Sequence, residues 1–118
     1  MAQDLIAAVR RYHQAMNDLR LDDVETMFAP EAEYRSPSVG AIVGRDAILT
    51  AMRSYFAEYP DQVANDETLE QVAPDAVRSV WNLRATAKST GKPYVRRGIE
   101  VTRFTPSGLI RRVEVTDT

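Results

Sequence analysis

The spacing of the apolar residues changes part-way along the chain, from helical spacing to the alternation of β-strands. In the first half, apolar residues recur every three or four positions, which is typical of helices that bury one face. From residue 77 onward, apolar and polar residues alternate, which is typical of strands with one face in the core. Helices first and long strands last predict an α+β domain, with the helices packed on one face of a curved antiparallel sheet.

Three helices are predicted in the first half of the chain. One apolar stripe defines the first helix, and its members are Leu5, Val9, Tyr12, Met16 and Leu19. A second, shorter helix is predicted over residues 22–28, with acidic residues in its first turn and Pro30 after it. A third helix is predicted over residues 46–58, and Pro60 ends it.

Five strands are predicted around and after these helices. They cover residues 32–36, 61–72, 77–87, 94–104 and 109–116, and the pattern of the second is weak. The chain shows no repeat and no low-complexity segment. We therefore expect residues 1–118 to form a single domain.

Composition excludes several classes of function. The chain has no cysteine and a single histidine, His13, so we expect no metal site and no thiol nucleophile. A net charge of −2 argues against nucleic acid as the main partner. No apolar run approaches the ~18 residues needed to cross a membrane. The amphipathic start, which includes Asp4, does not resemble a signal peptide, so we expect a cytoplasmic protein.

The small net charge conceals an uneven distribution. Residues 1–75 hold 14 acidic and 6 basic residues, a net charge of −8, whereas residues 76–118 hold 3 acidic and 9 basic residues, a net charge of +6. Two interpretations remain open: acidic helices that neutralise a basic sheet, or a basic surface for an acidic partner.

The predicted strand register makes Glu100 unusual. If Thr90 and Gly91 form a two-residue turn, and if residues 105–108 form a four-residue loop, Glu100 lies opposite Trp81 and Val113 on the apolar face. A carboxylate buried among such residues is costly unless it is paired, and desolvation favours its neutral form. Glu100 is either a functional pocket residue or one half of an ion pair with an arginine, for which Arg96 and Arg111 are the candidates.

Several short motifs, in order along the chain, resemble one superfamily. They are Arg11-Tyr12, Asn17, Leu21-Asp22, Phe28-Ala29-Pro30-Glu31-Ala32, Ser36-Pro37, Gly44-Arg45-Asp46-Ala47-Ile48 and Arg103-Phe104. The sequence resembles the nuclear-transport-factor-2-like superfamily, in its ketosteroid-isomerase-like and SnoaL-like, polyketide-cyclase-like branches. The resemblance implies a cone-shaped, cystatin-like roll, in which a strongly curved mixed or antiparallel sheet wraps three helices around an apolar pocket. It also implies a homodimer.

The resemblance implies catalytic roles for two positions, whereas a third catalytic position of the family holds an unsuitable residue. The oxyanion-binding tyrosine of the family matches Tyr12, and its protonated acid matches Glu100. The catalytic base of the ketosteroid isomerases matches Ser36, which has no base form near neutral pH, so steroid isomerisation is not expected. A tyrosine that supports the oxyanion site in those enzymes matches Met52. Tyr12 and Glu100 therefore remain as the predicted catalytic pair.

Other residues are expected to line the pocket. Besides Ser36 and Met52, they are Tyr34, Trp81, Leu83 and Val113. His13 lies about 100° around the helix from Tyr12, so a partly exposed position beside the pocket is expected. Arg96 and Arg111 share the inward face and either bind an anionic ligand or pair with acids such as Glu100 and Asp117. No cofactor is expected.

The opposite face of the sheet is predicted to form a dimer interface. It presents a central apolar strip flanked by arginines: Val80, Ile99 and Val101, with Arg78, Arg84, Arg97, Arg103 and Arg112. The register sets Arg84 opposite Arg97, and Arg78 opposite Arg103, which is unfavourable in an isolated sheet. The alternative is a solvated face whose arginines are neutralised by nearby acids such as Glu70.

Two functions remain open at this stage. The first is an enzyme of isomerase, cyclase or lyase type that polarises a carbonyl or enolate in a small, mostly apolar molecule. The second is a non-catalytic ligand-binding or dimerisation module that lacks the family base. Glu100 in the pocket favours the first, and Ser36 favours the second.

Overall fold

The computed structural model describes residues 4–118, so residues 1–3 of the predicted domain lie outside the described residues. Three helices, α1 (Leu5–Asn17), α2 (Leu21–Met27) and α3 (Arg45–Glu58), accompany six strands. The strands are β1 (Phe28–Ser36), β2 (Gly40–Val43), β3 (Val63–Ala73), β4 (Ala76–Thr86), β5 (Pro93–Phe104) and β6 (Ile110–Asp117). They form one sheet in the order β2-β1-β6-β5-β4-β3.

The sheet is mixed because β1 and β6 run parallel, whereas every other neighbouring pair is antiparallel. Three helices packed on a mixed sheet confirm the predicted α+β fold. No strong curl of the sheet is found over residues 4–118, although one was expected. None of the described helices is long and apolar enough to cross a membrane.

The helices begin and end for local reasons. The carboxylate of Asp4 accepts a hydrogen bond of 3.0 Å from the Ala7 N–H, which caps the start of α1. After α1, Leu19 takes a left-handed conformation (φ 57°) that turns the chain toward α2. The buried stripe of α1 comprises Leu5, Val9, Tyr12 and Ala15. That of α3 comprises Ile48, Leu49, Met52 and Phe56, and both stripes face the same side of the sheet.

The structure corrects the prediction around residue 30. Phe28 starts β1 instead of ending the second helix, and Pro30 lies inside that strand. The strand β2 was not predicted, because its four residues are too few to show an alternating pattern. Gly40 has a positive φ of 77°, which lets the chain reverse so that β2 pairs with β1.

The register is displaced by two residues from the prediction. A six-residue loop, residues 87–92, replaces the two-residue turn, and it closes through a hydrogen bond from the Ala87 N–H to the Lys92 carbonyl. The carboxylate of Glu58, at the end of α3, accepts hydrogen bonds from the Ser89 N–H (2.7 Å) and hydroxyl (2.8 Å), so the loop is tied to the helix. A displacement of two leaves the side chains of β4 and β5 on their predicted faces. At the start of β6, however, Ile110 instead of Leu109 lies opposite Phe104, and Arg111, which was predicted to point inward, is exposed.

Glu100 consequently keeps its inward orientation but has different neighbours. It lies opposite Ser79 on β4 and Val115 on β6, not opposite Trp81 and Val113. A register shift between Arg103 and Phe104 moves β6 relative to the prediction. Glu100 is only 6% exposed, so its burial does not depend on the neighbours that were predicted.

Candidate functional site

A cavity lies between α1, α3 and the inner face of the sheet. The volume of this cavity is about 100 Å³. Much of the wall is apolar, and its apolar side chains include Met16, Ile42, Ile48, Met52, Phe56, Leu83 and Val115. Charged and polar groups lie at separate places on this wall, and the cavity is therefore suited to a mostly apolar molecule with a few polar atoms.

The centre of the polar wall is His13, which lies between two carboxylates. Its Nδ1 is 2.8 Å from Asp66 Oδ2, and its Nε2 is 2.6 Å from Glu100 Oε1. Only 11% of its side chain is exposed. Burial alone would lower the pKa of His13, but the charge of Glu100 and hydrogen bonds to Asp66 and Glu100 outweigh burial and raise the pKa to about 10. The imidazolium therefore donates to both carboxylates at neutral pH.

Asp66 is held in its ionised form on β3. Burial would raise its pKa, but hydrogen bonds from His13 and Ser79 and the charge of His13 lower the pKa below its usual range. The Ser79 hydroxyl donates to Oδ1 at 2.7 Å, while His13 donates to Oδ2. Both oxygens of Asp66 are thereby engaged, so Asp66 fixes the orientation of the imidazole.

Glu100 has one engaged oxygen and one available oxygen. Its Oε1 accepts hydrogen bonds from His13 Nε2 and, at 3.1 Å, from the Thr102 hydroxyl. Among the described residues, no hydrogen bond reaches Oε2, and Glu100 lines the cavity. The charge partner of Glu100 is therefore His13, and neither arginine considered from the sequence pairs with it. Arg96 pairs with Asp117 at 2.6 Å, and Arg111 pairs with Asp75 at 2.9 Å.

Sequence reasoning missed two members of this group. His13 was expected beside the pocket and partly exposed, and it lies on the cavity wall with 11% of its side chain exposed, because α1 packs directly against β3 and β4. Asp66 was not singled out because β3 lacks clean alternation. A register shift between Asp66 and Thr68 interrupts its pattern. The available signal was the pair Ala64 and Asp66, which share the inward face.

Tyr12 lies close to the group but behind the wall. It is fully buried, it does not line the cavity, and its hydroxyl has no hydrogen-bond partner among residues 4–118. Burial and the nearby Tyr34 and Glu100 raise its pKa well above the usual value. Burial likewise raises the pKa of Tyr34, which does line the cavity. Both hydroxyls stay protonated at neutral pH.

The structure places most of the remaining predicted pocket residues on the cavity wall. Tyr34, Ser36, Met52, Trp81 and Leu83 line it, whereas Val113 is buried in the core and Val115 occupies the wall instead. This difference follows from the two-residue displacement of β6.

Ser36 has a local structural role. Its hydroxyl accepts hydrogen bonds from the N–H groups of Ser38 (3.2 Å) and Val39 (3.3 Å), so it stabilises the turn between β1 and β2. The same oxygen lies 2.8 Å from the Ser38 hydroxyl. A hydroxyl engaged in this way is not a base, which agrees with the argument from its chemistry.

Trp81 and Arg96 form a second polar region on the wall. The Trp81 ring lies over Gly98, where an added Cβ would come within 2.6 Å of the indole and 2.5 Å of the Thr116 carbonyl oxygen. Glycine at this position therefore permits the close packing of the indole. Arg96 Cζ lies 5.2 Å from the centre of the Trp81 ring, within the range of a cation–π contact.

The described residues contain no group of three or more His, Cys, Asp or Glu side chains that could hold a metal ion. The arrangement of His13 explains this, because both of its ring nitrogens donate protons and neither offers a lone pair.

Comparison with known families identifies the domain. Residues 9–113 match the model of the SnoaL-like domain. The chain belongs to the SnoaL-like family. Comparison of this SnoaL-like protein with curated proteins gave no significant match.

Several solved structures share the fold of this SnoaL-like chain. An NTF2-like protein of unknown function from Exiguobacterium sp. 255-15 is 17% identical, with a TM-score of 0.84 over 93% of this chain and 97% of that one. SalBIII, described as an epoxide hydrolase/cyclase-like enzyme, is 18% identical, with a TM-score of 0.82 over 93% and 87%. RV0760c from Mycobacterium tuberculosis, in complex with estradiol-17beta-hemisuccinate, is 15% identical, with a TM-score of 0.81 over 92% and 89%. At these identities the likeness establishes the fold alone.

Proposed function

We propose that this SnoaL-like protein is a cofactor-free enzyme of isomerase, cyclase or lyase type, acting on a small, mostly apolar carbonyl compound. One observation carries the proposal. Glu100 lines an apolar cavity with Oε1 held by the His13 imidazolium, while Oε2 lacks a partner among the described residues. A fixed carboxylate with a free oxygen in an apolar cavity is suited to act as a general base.

The proposed reaction starts with a proton on the carbon next to the carbonyl group. Glu100 Oε2 takes this proton, the C–H bond breaks, and its electron pair forms the enolate. The Tyr34 hydroxyl, which stays protonated and lines the cavity, is the proposed donor to the enolate oxygen. Return of the proton from Glu100 to another carbon gives isomerisation. Attack of the enolate carbon on a second carbonyl group of the same molecule gives cyclisation, in which the C=O π bond breaks and the new alkoxide takes the proton from Glu100.

Tyr12, the one tyrosine predicted from the sequence to be catalytic, has a supporting role in the proposal. Its hydroxyl is buried and has no hydrogen-bond partner among residues 4–118, and the charges of Tyr34 and Glu100 affect its pKa. We assign it to the support of Tyr34, because Tyr12 itself does not line the cavity.

The solved relatives support the class of molecule. SalBIII is described as taking part in pyran ring formation, and RV0760c was solved with a steroid derivative. Another structure with this fold, at a TM-score of 0.80 and 15% identity, is a designed binder of 17-OHP. Apolar ring compounds with oxygen substituents are therefore the proposed ligand class.

Exchange of carbon-bound hydrogen tests the proposed base without knowledge of the natural substrate. We expect the protein to accelerate deuterium incorporation from D₂O into 2-tetralone, an apolar ketone, followed by proton NMR. In Glu100→Gln the enzymatic rate should fall by roughly 100-fold or more, the usual contribution of a general base. The matched control is Glu114→Gln, since Glu114 forms an ion pair of 2.6 Å with Arg112 and does not line the cavity. Equal exchange rates for the wild type and Glu100→Gln would contradict the assignment.

A non-catalytic binder is the second candidate, and Ser36 favours it. The family position for the base holds a hydroxyl that stabilises a turn, so the site lacks a second general base. On this alternative, 2-tetralone perturbs Trp81 on binding, but the protein does not accelerate exchange.

The homodimer and the cytoplasmic location stay predictions. We propose that the outer face of the sheet is the dimer interface, because Val80, Ile99 and Val101 are only partly covered in the monomer. A single SnoaL-like domain is the proposed functional unit of each protomer.

A further inference from the structure

We propose that the molecule bound in the cavity carries a carboxylate or a similar anionic group, which binds at Arg96, at the opposite end of the cavity from Glu100. This inference rests on the proposed function only in placing the reacting carbon near Glu100. The anion site itself is argued from Arg96, Trp81 and Tyr55.

Arg96 is a largely buried cation on an apolar wall. Only 11% of its side chain is exposed, and the residue lines the cavity. One face of the guanidinium is covered by the Trp81 ring, and Nη2 donates to Asp117 at 2.6 Å. Nη1 has only a long contact of 3.4 Å with the Ser38 hydroxyl. A guanidinium presents five N–H donors, so donors remain for a ligand.

Two further donors near Arg96 have no partner among residues 4–118. Trp81 Nε1 is buried without a hydrogen bond, and this residue is only 7% exposed. The Tyr55 hydroxyl is also buried, lies near Arg96 and Tyr94 without a well-formed hydrogen bond, and stays protonated at neutral pH because burial raises its pKa. Both residues line the cavity. An unpaired buried donor is costly, and an acceptor-rich ligand group removes that cost.

The strand geometry fixes the separation of the two ends. Arg96 and Glu100 lie four residues apart on the inner face of β5, which corresponds to about 13 Å between their backbones. Trp81 lies between them, because it is paired with Gly98. The fitting molecule therefore has an anionic group at one end, an apolar body over the indole, and its reactive carbon toward Glu100.

Asp117 competes with the proposed anion. Its side chain is 44% exposed, and it is the carboxylate that the Arg96 guanidinium contacts. Its removal should free the guanidinium, so Asp117→Asn is expected to strengthen anion binding, whereas Arg96→Gln is expected to abolish the preference for anions.

A pair of matched probes tests the inference. The probes are 4-phenylbutanoate and the neutral 4-phenylbutanamide, which differ in charge but little in size. Binding is followed by the fluorescence of Trp81, the single tryptophan of the chain, at low salt and pH 7.5. We expect the wild type to bind the carboxylate at least about tenfold more tightly than the amide. The variant Asp117→Asn should bind the carboxylate two- to fivefold more tightly than the wild type does.

Arg111→Gln is the control, since Arg111 pairs with Asp75 and does not line the cavity. It should keep the preference that Arg96→Gln loses. Equal binding of both probes to the wild type, or no binding of either at millimolar concentration, overturns the inference. Asp117→Asn decides the matter if Arg96→Gln does not fold. The binding measurement needs no turnover, so it can succeed even if the 2-tetralone experiment fails. Likewise, Glu100 can accelerate exchange in 2-tetralone even if the anion does not bind at Arg96.

Discussion

His13 is positively charged in a largely buried position because two carboxylates lie beside it. Its imidazolium holds Glu100 on one side and Asp66 on the other, at 2.6 and 2.8 Å. Burial of a single charge would be costly, but charge-assisted hydrogen bonds offset the desolvation of all three groups. The group thereby fixes Glu100 Oε1 and leaves the other oxygen for chemistry.

The first residue-scale prediction concerns the pH dependence of stability. The folded-state pKa of His13 is raised from 6.5 to about 10, so the folded protein binds this proton more tightly than the unfolded chain. The stabilisation from His13 is therefore fully present below pH 6.5 and is lost as the pH rises through about 10. The lowered pKa of Asp66 adds stabilisation that is present above about pH 3.8 and is lost on acidification.

The variant His13→Gln tests this account by urea unfolding between pH 6 and 10. It should lower the free energy of unfolding by roughly 1–3 kcal/mol at pH 6, because two carboxylates lose their charged donor. The difference between wild type and variant should shrink toward pH 10. An imidazole that titrates near 6.5 in a histidine-resolved NMR experiment would contradict the assignment.

At the element scale, Asn17 ties the end of α1 to the start of β3. Its Nδ2 donates to the Ala64 carbonyl at 2.8 Å, and its Oδ1 accepts from the Ala64 N–H at 2.9 Å. The Asn17 side chain thus satisfies the backbone N–H and carbonyl groups of Ala64, as a neighbouring strand would do in the interior of a sheet. Since Ala64 and Asp66 share one face, this tie also helps to position Asp66 against His13.

The corresponding prediction is that Asn17→Ala lowers the free energy of unfolding by roughly 1–3 kcal/mol, because two partly buried backbone groups lose their partner. Hydrogen exchange at the Ala64 amide should accelerate in the same variant. Asn82→Ala is the control, since Asn82 makes one long, exposed contact of 3.3 Å with Glu67. The tie is disproved if the two variants lose the same stability.

At the scale of the whole molecule, the basic second half of the chain is largely neutralised within the domain. Arg97 makes a two-point ion pair with Glu67, and Arg103 and Arg111 share Asp75. The predicted opposition of Arg84 to Arg97 is wrong, since Arg84 pairs with Val95. Arg103 does lie opposite an arginine, but that arginine is Arg112 on β6. Three of the outer-face arginines, Arg97, Arg103 and Arg112, thus form ion pairs beside the apolar strip.

The prediction at this scale is a dimer through that apolar strip. Sedimentation at micromolar concentration should show a dimer for the wild type and a monomer for Ile99→Asp, which places a charge at the centre of the strip. The control is Val43→Asp, which should remain dimeric, because Val43 is 71% exposed and lies on the edge strand β2, away from the apolar strip. A monomeric wild type would contradict the proposed interface.

The sequence by itself determined the helices, all described strands except β2, the fold class and the inward orientation of Glu100. Periodicity specifies which face of a helix or strand is buried, and a register error of two residues preserves that face. The same pattern sufficed to place Tyr34, Trp81 and Leu83 on the inner side of the sheet.

Only the tertiary structure decided the partners of Glu100. His13 and Asp66 are 53 residues apart in sequence, and their meeting depends on how α1 packs across β3 and β4. The displaced register had the same origin, because Glu58 binds the loop after β4 and so fixes its length from another element. Contacts between distant segments leave no periodic signal in a single sequence, and this is why the charged group in the cavity was not predicted.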